Sequence, residues 1–343
     1  MRIGIVGAGA IGSVVGGLLT KAGRDVTLVD QWPEHVATIR AKGLRLSGTC
    51  GDHVIPVRIL HVHELQSVAE PFDAVFVAVK GYDTEWATAL GLPYLRAPEG
   101  VVVGFQNGVN DERVAAVAGR ERTLGCVITI GAGLYEAGHA MRTDTNPVGF
   151  KIGELDGRPT ERAQSLVTLM TDVAGAAVTT NLAGERWSKL TVNCMANPLA
   201  GLSGLGSAEI RSEPAPARVA VQIAAEVIAV ARALGHEVEP IFGIAAQRFV
   251  DAAAGRDAER LMADMAAGAK RLAGGRPSML QDVLRRRRTE IDFLNGVVVE
   301  QGARAGIPTP FNEAVVRLVR AHPVGTLIPD PKHLEPLFGM LSR

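Results

Sequence analysis

Lys189, Asn193 and Asn197 recur at intervals of four residues within the stretch Trp187 to Leu202, read as W-S-K-L-T-V-N-C-M-A-N-P-L-A-G-L. On a helix that interval lays all three along one stripe, each about 40° round from the last. Leu190, Val192, Met195 and Ala196 run between them and suit contact with a core. The stripe therefore has two readings. It is a solvated helix face, or it is one cation and two amides aimed together at a small oxygen-rich molecule.

The elements that must position such a stripe are legible along the chain. Arg2 to Val6 is a short apolar strand, followed at once by Gly7-Ala8-Gly9-Ala10-Ile11-Gly12 and a helix that runs to about Ala22 and ends at Gly23. This is G-x-G-x-x-G between a strand and a helix, the context in which it binds a dinucleotide. The glycines allow a tight turn and close approach of backbone to a pyrophosphate, and the helix start attracts phosphate through free N–H groups and its dipole. Asp30 closes the next strand, Asp25 to Val29, where a carboxylate accepts hydrogen bonds from both ribose hydroxyls and repels a 2′-phosphate. Its neighbour is Gln31 rather than a base, so the local chemistry favours NAD(H) over NADP(H), although Arg40, Lys42 and Arg45 lie nearby; Trp32 is placed to lie against the adenine.

Further strands are expected at Val54 to Ile59, Ala74 to Val79, Val101 to Phe105 and Thr123 to Ile130, with helices over Glu34 to Lys42, Thr84 to Leu95 and Asp111 to Ala118. Such alternation argues a parallel sheet flanked by helices, whose ligands sit at the carboxyl ends of the strands. Lys80 and Asn107 stand at two such ends, although Asn107-Gly108 is also an ordinary turn pair. Gly131 to His139 reads as a turn, Asn146 to Ile152 as a strand and Val178 to Asn181 as the last one. His61 and His63 form an H-x-H pair with no third ligand near, which a strand edge explains without a metal.

From Ala183 the pattern turns helical, with segments at Pro216 to Leu234, Ile241 to Ala253 and Ala258 to Leu272, then one long helix from Met279 to about Ala305 ended by Gly306 and Pro308. The boundary falls near 180, giving an α/β domain at 1–180 and an all-helical domain at 181–343. Ser278-Met279-Leu280-Gln281 has the form of a capping box, and a hydroxyl at a helix start also seats a carboxylate. Glu290, twelve residues on, would lie along the same side of that helix, with Asp282 and Asp292 pointing elsewhere; Arg285 to Arg288 would wrap round it as solvated charge. With 36 acids against 36 bases and 21% charged residues, nothing favours nucleic acid or an anionic membrane as partner. No run of about 18 apolar residues is legible, and Met1-Arg2-Ile3 leads straight into the strand. A cytoplasmic protein is expected. Three widely spaced cysteines, Cys50, Cys126 and Cys194, read as packing residues, and Ala-rich helices leave a homodimer open.

Taken together the chain resembles the ketopantoate reductase family over nearly its whole length. The resemblance is carried by G-A-G-A-I-G at Gly7 to Gly12, V-A-V-K at Val77 to Lys80, Q-N-G at Gln106 to Gly108, the Trp187 to Leu199 stretch, and S-M-L-Q-D-V-L-R-R-R-R-T-E-I-D-F-L-N-G at Ser278 to Gly296. It implies a Rossmann-type dinucleotide-binding domain followed by an all-α domain similar to the C-terminal domain of 6-phosphogluconate dehydrogenase. It implies reduction of 2-dehydropantoate to (R)-pantoate with a nicotinamide cofactor, Lys189 as proton donor, and Asn193, Asn197 and Ser278 on the substrate. Lys80, Asn107 and Glu290 would serve the cofactor or the reacting centre. Two departures stand out. The family's basic residue for the NADP 2′-phosphate corresponds to Gln31, preceded by Asp30, and a substrate-contacting Asn corresponds to Ser207. Both lean towards an NAD-dependent D-2-hydroxyacid dehydrogenase of the same family, acting on another 2-oxo acid. A nucleotide sensor without catalysis is the third reading, which the Lys189, Asn193, Asn197, Ser278 and Glu290 set disfavours. The helical part also looks longer than in short family members, mostly between His236 and Ser278.

Overall fold

Strand β1 (Arg2–Val6) has only one of its five residues outside the core, because strands flank it on both sides and helices cover both faces. In the computed structural model, which describes residues 1–269 and 276–341, the chain divides into two compact units, Met1–Leu182 and Ala183–Arg343. The first opens with β1, α1 (Ala10–Lys21), β2 (Asp25–Asp30), α2 (Pro33–Lys42), β3 (Leu44–Gly48), β4 (His53–Ile55) and β5 (Arg58–His61). It continues through β6 (Ala74–Val77), α3 (Thr84–Gly91), β7 (Val101–Gly104), α4 (Asp111–Ala118) and β8 (Thr123–Ile128). β9 (Ala132–Glu136), β10 (His139–Arg142), β11 (Phe150–Glu154), α5 (Glu161–Met170) and β12 (Ala176–Val178) complete it.

Eight strands form one sheet in the order β12-β11-β8-β7-β6-β1-β2-β5. From β5 to β8 all neighbours are parallel, and only β11 runs antiparallel to β8. Successive crossovers leave β1 in opposite directions, first to β2 and later to β6, so the strand order reverses at β1. That is the switch point of a Rossmann-type sheet. A second, four-stranded sheet, β4-β3-β10-β9, differs from expectation in two places. Val54 to Ile59 is not one strand: Pro56 offers no N–H, and the chain breaks there between β4 of the small sheet and β5 of the large one. Gly131 to His139 is mostly strand, with only 137–138 turning, where Gly138 takes φ +78°. β11 begins only at Phe150, and β12 ends at Val178.

The second unit is helical throughout: α6 (Leu182–Ser203, its first residue belonging to the first unit), α7 (Ser207–Ser212), α8 (Pro214–Ala233), α9 (Ala246–Ala253), α10 (Ala258–Ala269), α11 (Ser278–Leu284), α12 (Asn295–Ala305), α13 (Pro310–Arg320) and α14 (Glu335–Met340). The end of the helix expected at Ala258 to Leu272 lies outside the described residues. Among the described helices α8 alone is long and apolar enough to cross a membrane, against the expectation that no such run is present; 61% of its apolar window is buried.

The long helix expected from Met279 to Ala305 is two helices. α11 ends in a Schellman closure, with the Arg287 N–H on the Asp282 carbonyl (2.9 Å) and the Arg286 N–H on that of Val283 (2.9 Å). Arg286 holds the left-handed position at φ +55°, where glycine is usual. A Cβ at Gly325 would lie 3.0 Å from the Arg286 carbonyl oxygen, so a neighbouring loop fits against this turn only because residue 325 is glycine. Arg286 to Arg288 are consequently exposed on irregular chain rather than wrapped round a helix.

Candidate functional site

In the first unit the site is built from backbone. Gly7 turns the chain out of β1 at φ +101°, and a Cβ there would sit 2.9 Å from the Ala78 carbonyl beyond β6. A Cβ at Gly12 would collide with the Gly7 carbonyl oxygen, whereas one at Gly9 would meet nothing within 4 Å. Two glycines are thus required by packing, while the third borders open space beside the start of α1. There the N–H groups of Ala10, Ile11 and Gly12 have no acceptor one turn back within the helix. Backbone donors and vacant room fit the pyrophosphate of a dinucleotide.

Asp30, at the end of β2, is tied to this loop: its carboxylate accepts from the Ala8 N–H (2.6 Å) and the Trp32 N–H (2.8 Å). Each oxygen keeps a further lone-pair direction for ribose hydroxyls. Gln31 is exposed, and its carbonyl accepts from His61 Nε2 at 3.1 Å. Arg40 is not free to meet a 2′-phosphate, since it pairs with Glu64 and donates to the Ile59 carbonyl at 3.0 Å. The Arg40 guanidinium and the His61 N–H hold the Glu64 carboxyl down at about 2. Arg45 is likewise engaged by Asp52 at 3.0 Å, which leaves Lys42 exposed. Trp32 stacks one ring face on His35 (centroids 5.3 Å). The His61 and His63 rings face each other, Nδ1 to Nδ1 at 2.7 Å.

Lys80 and Asn107 follow β6 and β7, parallel neighbours beside β1, and so stand on the same carboxyl edge as Gly7. The Asn107 carbonyl accepts from Asn110 Nδ2 (2.7 Å), and Gly108 takes φ +84°. Asn107 is therefore both a turn residue and an edge residue.

In the second unit the Lys189 stripe lies on α6. Leu190 and Met195 are in the core, but Val192 and Ala196 share the more open side with Lys189 and Glu185, contrary to the expectation of core contact for both. Asn193 and Asn197 border that side, 7% and 3% exposed. Asn193 Nδ2 is buried without a hydrogen-bond partner among the described residues. A buried amide donor left unpaired is costly and points to a ligand oxygen. Pro198 interrupts the helix ladder by withholding the N–H that the Cys194 carbonyl would accept, and Asn295 Nδ2 supplies a donor at 3.3 Å instead. Asn295 is itself held by Asn312 Oδ1 (3.0 Å), and Asn312 by Glu226 (2.7 Å). A polar chain through α6, α12, α13 and α8 thus fixes the turn that carries Asn193 and Asn197. Burial pushes the Glu226 carboxyl up, against the N–H groups of Asn312 and Phe311 that favour its charge.

Ser278 reaches this stripe: its hydroxyl donates to Asn197 Oδ1 at 3.4 Å. The capping box expected of it is absent, because Pro277 occupies the cap position and Gln281 turns back to the Arg276 carbonyl (3.0 Å). Glu290 does not share a helix face with Ser278, since the Arg286 turn intervenes. It is buried, 4% exposed, at the entry to a 3₁₀ turn over Ile291–Phe293. Asp282 is buried too, while Asp292 pairs with Arg320 at 2.7 Å. Ser207 opens α7, half-buried. Three residues escaped the sequence reading. His35 is a buried histidine in the first turn of α2. Arg211 and Phe242 stand 31 residues apart (242 − 211), in segments with no motif, and meet only in the fold.

Comparison with known proteins bears on both units. The family profile described as Ketopantoate reductase PanE/ApbA matches residues 3–157, and Ketopantoate reductase PanE/ApbA C terminal matches residues 181–323. A 2-dehydropantoate 2-reductase of Archaeoglobus fulgidus is 34% identical over 321 residues, covering 93% of this chain and 97% of that one. The crystal structure of 2-dehydropantoate 2-reductase from Geobacter metallireducens superposes with a TM-score of 0.80 at 26% identity, covering 94% of this chain and 99% of that one. D-mandelate dehydrogenase, solved with NADH and anilino(oxo)acetate, shares the fold at a TM-score of 0.79 and 23% identity, over 94% of this chain and 97% of its own.

Proposed function

The chain belongs to the ketopantoate reductase family of nicotinamide-dependent oxidoreductases acting on a CH–OH group, and from that premise we propose that it reduces 2-dehydropantoate to (R)-pantoate, in the biosynthesis of pantothenate. The observation that carries this reading is the buried amide of Asn193, one turn from Lys189 and bordering the open side of α6, whose Nδ2 has no partner among the described residues. The bound dinucleotide supplies hydride. As the oxo carbon accepts it, negative charge develops on the carbonyl oxygen; the Lys189 ammonium stabilises that charge and transfers a proton to it, giving the alcohol. Asn193 and Asn197 orient the carbonyl and the substrate hydroxyl, Ser278 and Ser207 donate to the acid, and Glu290 positions the ammonium or a ribose hydroxyl. Gly7 to Gly12 hold the pyrophosphate, with Lys80 and Asn107 at the nicotinamide end. Asp30, with Gln31 exposed beside it and Arg40 engaged by Glu64, supports NADH as the preferred donor. The reading places the protein in the cytoplasm, as a homodimer.

A second reading keeps this chemistry and changes the acid: an NAD-dependent D-2-hydroxyacid dehydrogenase, favoured by Asp30 and by Ser207 in place of an amide. Purified protein incubated with 2-dehydropantoate, 2-oxoisovalerate or phenylglyoxylate, with NADH and NADPH in turn, separates the two by loss of reduced-nicotinamide absorbance. Turnover of 2-dehydropantoate is expected, faster with NADH. Silence with it, but turnover of another acid, would transfer the assignment to the second reading. In the same assay Lys189→Ala should lower turnover by about 10²- to 10⁴-fold with nucleotide affinity nearly intact; unchanged turnover would remove Lys189 from the mechanism.

A further inference from the structure

Arg211 on α7 is a buried cation that no acid among the described residues answers. It is 9% exposed, and among the described residues no carboxylate lies within ion-pair distance and no acceptor takes its N–H groups. Of the two acids nearest in sequence, Glu209 is committed to the Gly206 N–H at 2.6 Å, and Glu213 is exposed and makes no ion pair with Arg211. Burial draws the guanidinium down to about 10. Buried charges are ordinarily paired, so a lone one marks a place where an anion is to arrive.

The surroundings hold this guanidinium in a fixed pose. Its Cζ lies 3.5 Å from the centre of the Phe242 ring. Phe242 sits in a two-residue turn closed by reciprocal Ile241 and Ile244 backbone bonds of 2.8 and 2.9 Å, at φ +55°, followed by Gly243 at φ +78°. An aromatic residue rarely adopts that backbone, and here it does so with its ring against the cation. The same loop is pinned to α6 at Trp187 and Ser188, the two residues that precede Lys189 in the chain. The Ser188 hydroxyl donates to the Pro240 carbonyl at 3.3 Å, and Trp187 stacks on His236 with centroids 6.1 Å apart. Ser207 lies one turn before Arg211, on the same face of α7.

We propose that Arg211, held against Phe242, is the cation that receives the carboxylate of the 2-oxo acid, an assignment that rests on reading the chain as a 2-oxo acid reductase. Ser278 offers that carboxylate a neutral hydroxyl, and Lys189 is occupied by the carbonyl oxygen, so the acid's charge is met by Arg211. A guanidinium stacked on an aromatic ring keeps its edge N–H groups for a planar two-oxygen acceptor. Selectivity for acids over uncharged carbonyl compounds then resides in α7.

The test compares 2-oxoisovalerate with its carboxamide, using NADH, in wild type, Arg211→Gln and Arg211→Lys. Wild type should favour the acid. Arg211→Gln should raise KM for the acid by about 10- to 100-fold, to near the value for the amide, with kcat and the amide's KM within a few fold; Arg211→Lys should fall between. An unchanged acid KM in Arg211→Gln overturns the proposal. Should Arg211→Gln not fold, Arg211→Lys decides alone: a raised KM for the acid but not the amide supports the proposal, and equal values overturn it. Should wild type reduce neither compound, calorimetric titration with 2-oxoisovalerate tests the subsite, and the reductase reading itself falls only where 2-dehydropantoate is not reduced either. Binding by wild type that is lost in the variant supports it; equal binding, or none to wild type, overturns it.

Discussion

A methyl group added at Gly12 would run into the Gly7 carbonyl oxygen, while the same methyl at Gly9 would enter empty space. The two substitutions should therefore separate folding from binding. Gly12→Ala is expected to cost about 1–3 kcal/mol of stability by overpacking. Gly9→Ala should melt almost as wild type but bind NADH about tenfold or more weakly, since its methyl takes the room that a pyrophosphate needs. Thermal melts and nucleotide titration of both variants check this, and a Gly9→Ala protein with full affinity would remove the phosphates from that space. Asn193 presents the complementary case, a buried donor without a partner among the described residues.

Helix α2 begins with a proline at N1 and is capped by no side chain, yet its first turn is anchored by His35. His35 Nδ1 accepts from the Gly138 N–H of the β9–β10 turn at 2.8 Å, and its Nε2 lies 3.4 Å from Ser13 Oγ on α1. Only the neutral ring can accept from Gly138. Burial lowers the pKa of His35 from 6.5, outweighing the attraction of Asp30. The unfolded chain therefore binds a proton that the folded one resists. The stability this contributes is complete above about pH 6.5 and is lost as pH falls through the lower folded value. Denaturant unfolding at mildly acidic and neutral pH should show wild type losing stability on acidification and His35→Leu losing less, while the variant is weaker at both by about 1–3 kcal/mol for the unpaired Gly138 N–H. Parallel losses would clear His35 of the effect. The same element scale explains why one expected helix is two: α11 is closed by Arg286 in the left-handed position, with Gly325 against its carbonyl, and no residue near 286 in sequence announces either.

Each unit of the whole molecule buries apolar residues of its own. In the second, α8 is apolar enough to raise the question of a membrane, but its apolar side packs on neighbouring helices, α9 and α12 among them. The proposed assembly is checked by light scattering, which should return about twice the chain mass of 36.1 kDa. A monomer mass at working concentration would confine the active unit to one chain.

Local rules reached far along this chain. Strand, glycine turn and helix at Arg2 to Lys21, the carboxylate that ends β2, the i, i+4 stripe of α6 and the glycine stop at Gly306 all follow from interactions within one turn or one strand, which residue type and spacing encode directly. Contacts distant in sequence decided the rest. The small sheet joins β3 to β10 across some 90 residues, the Cys194 carbonyl orphaned by Pro198 finds its donor 101 residues away, and Ser278 meets Asn197 across 81. Arg211 reads as an ordinary surface cation until Phe242 covers it. Burial is a property of the packed chain, and it is burial that makes an unpaired amide or guanidinium costly enough to mean something.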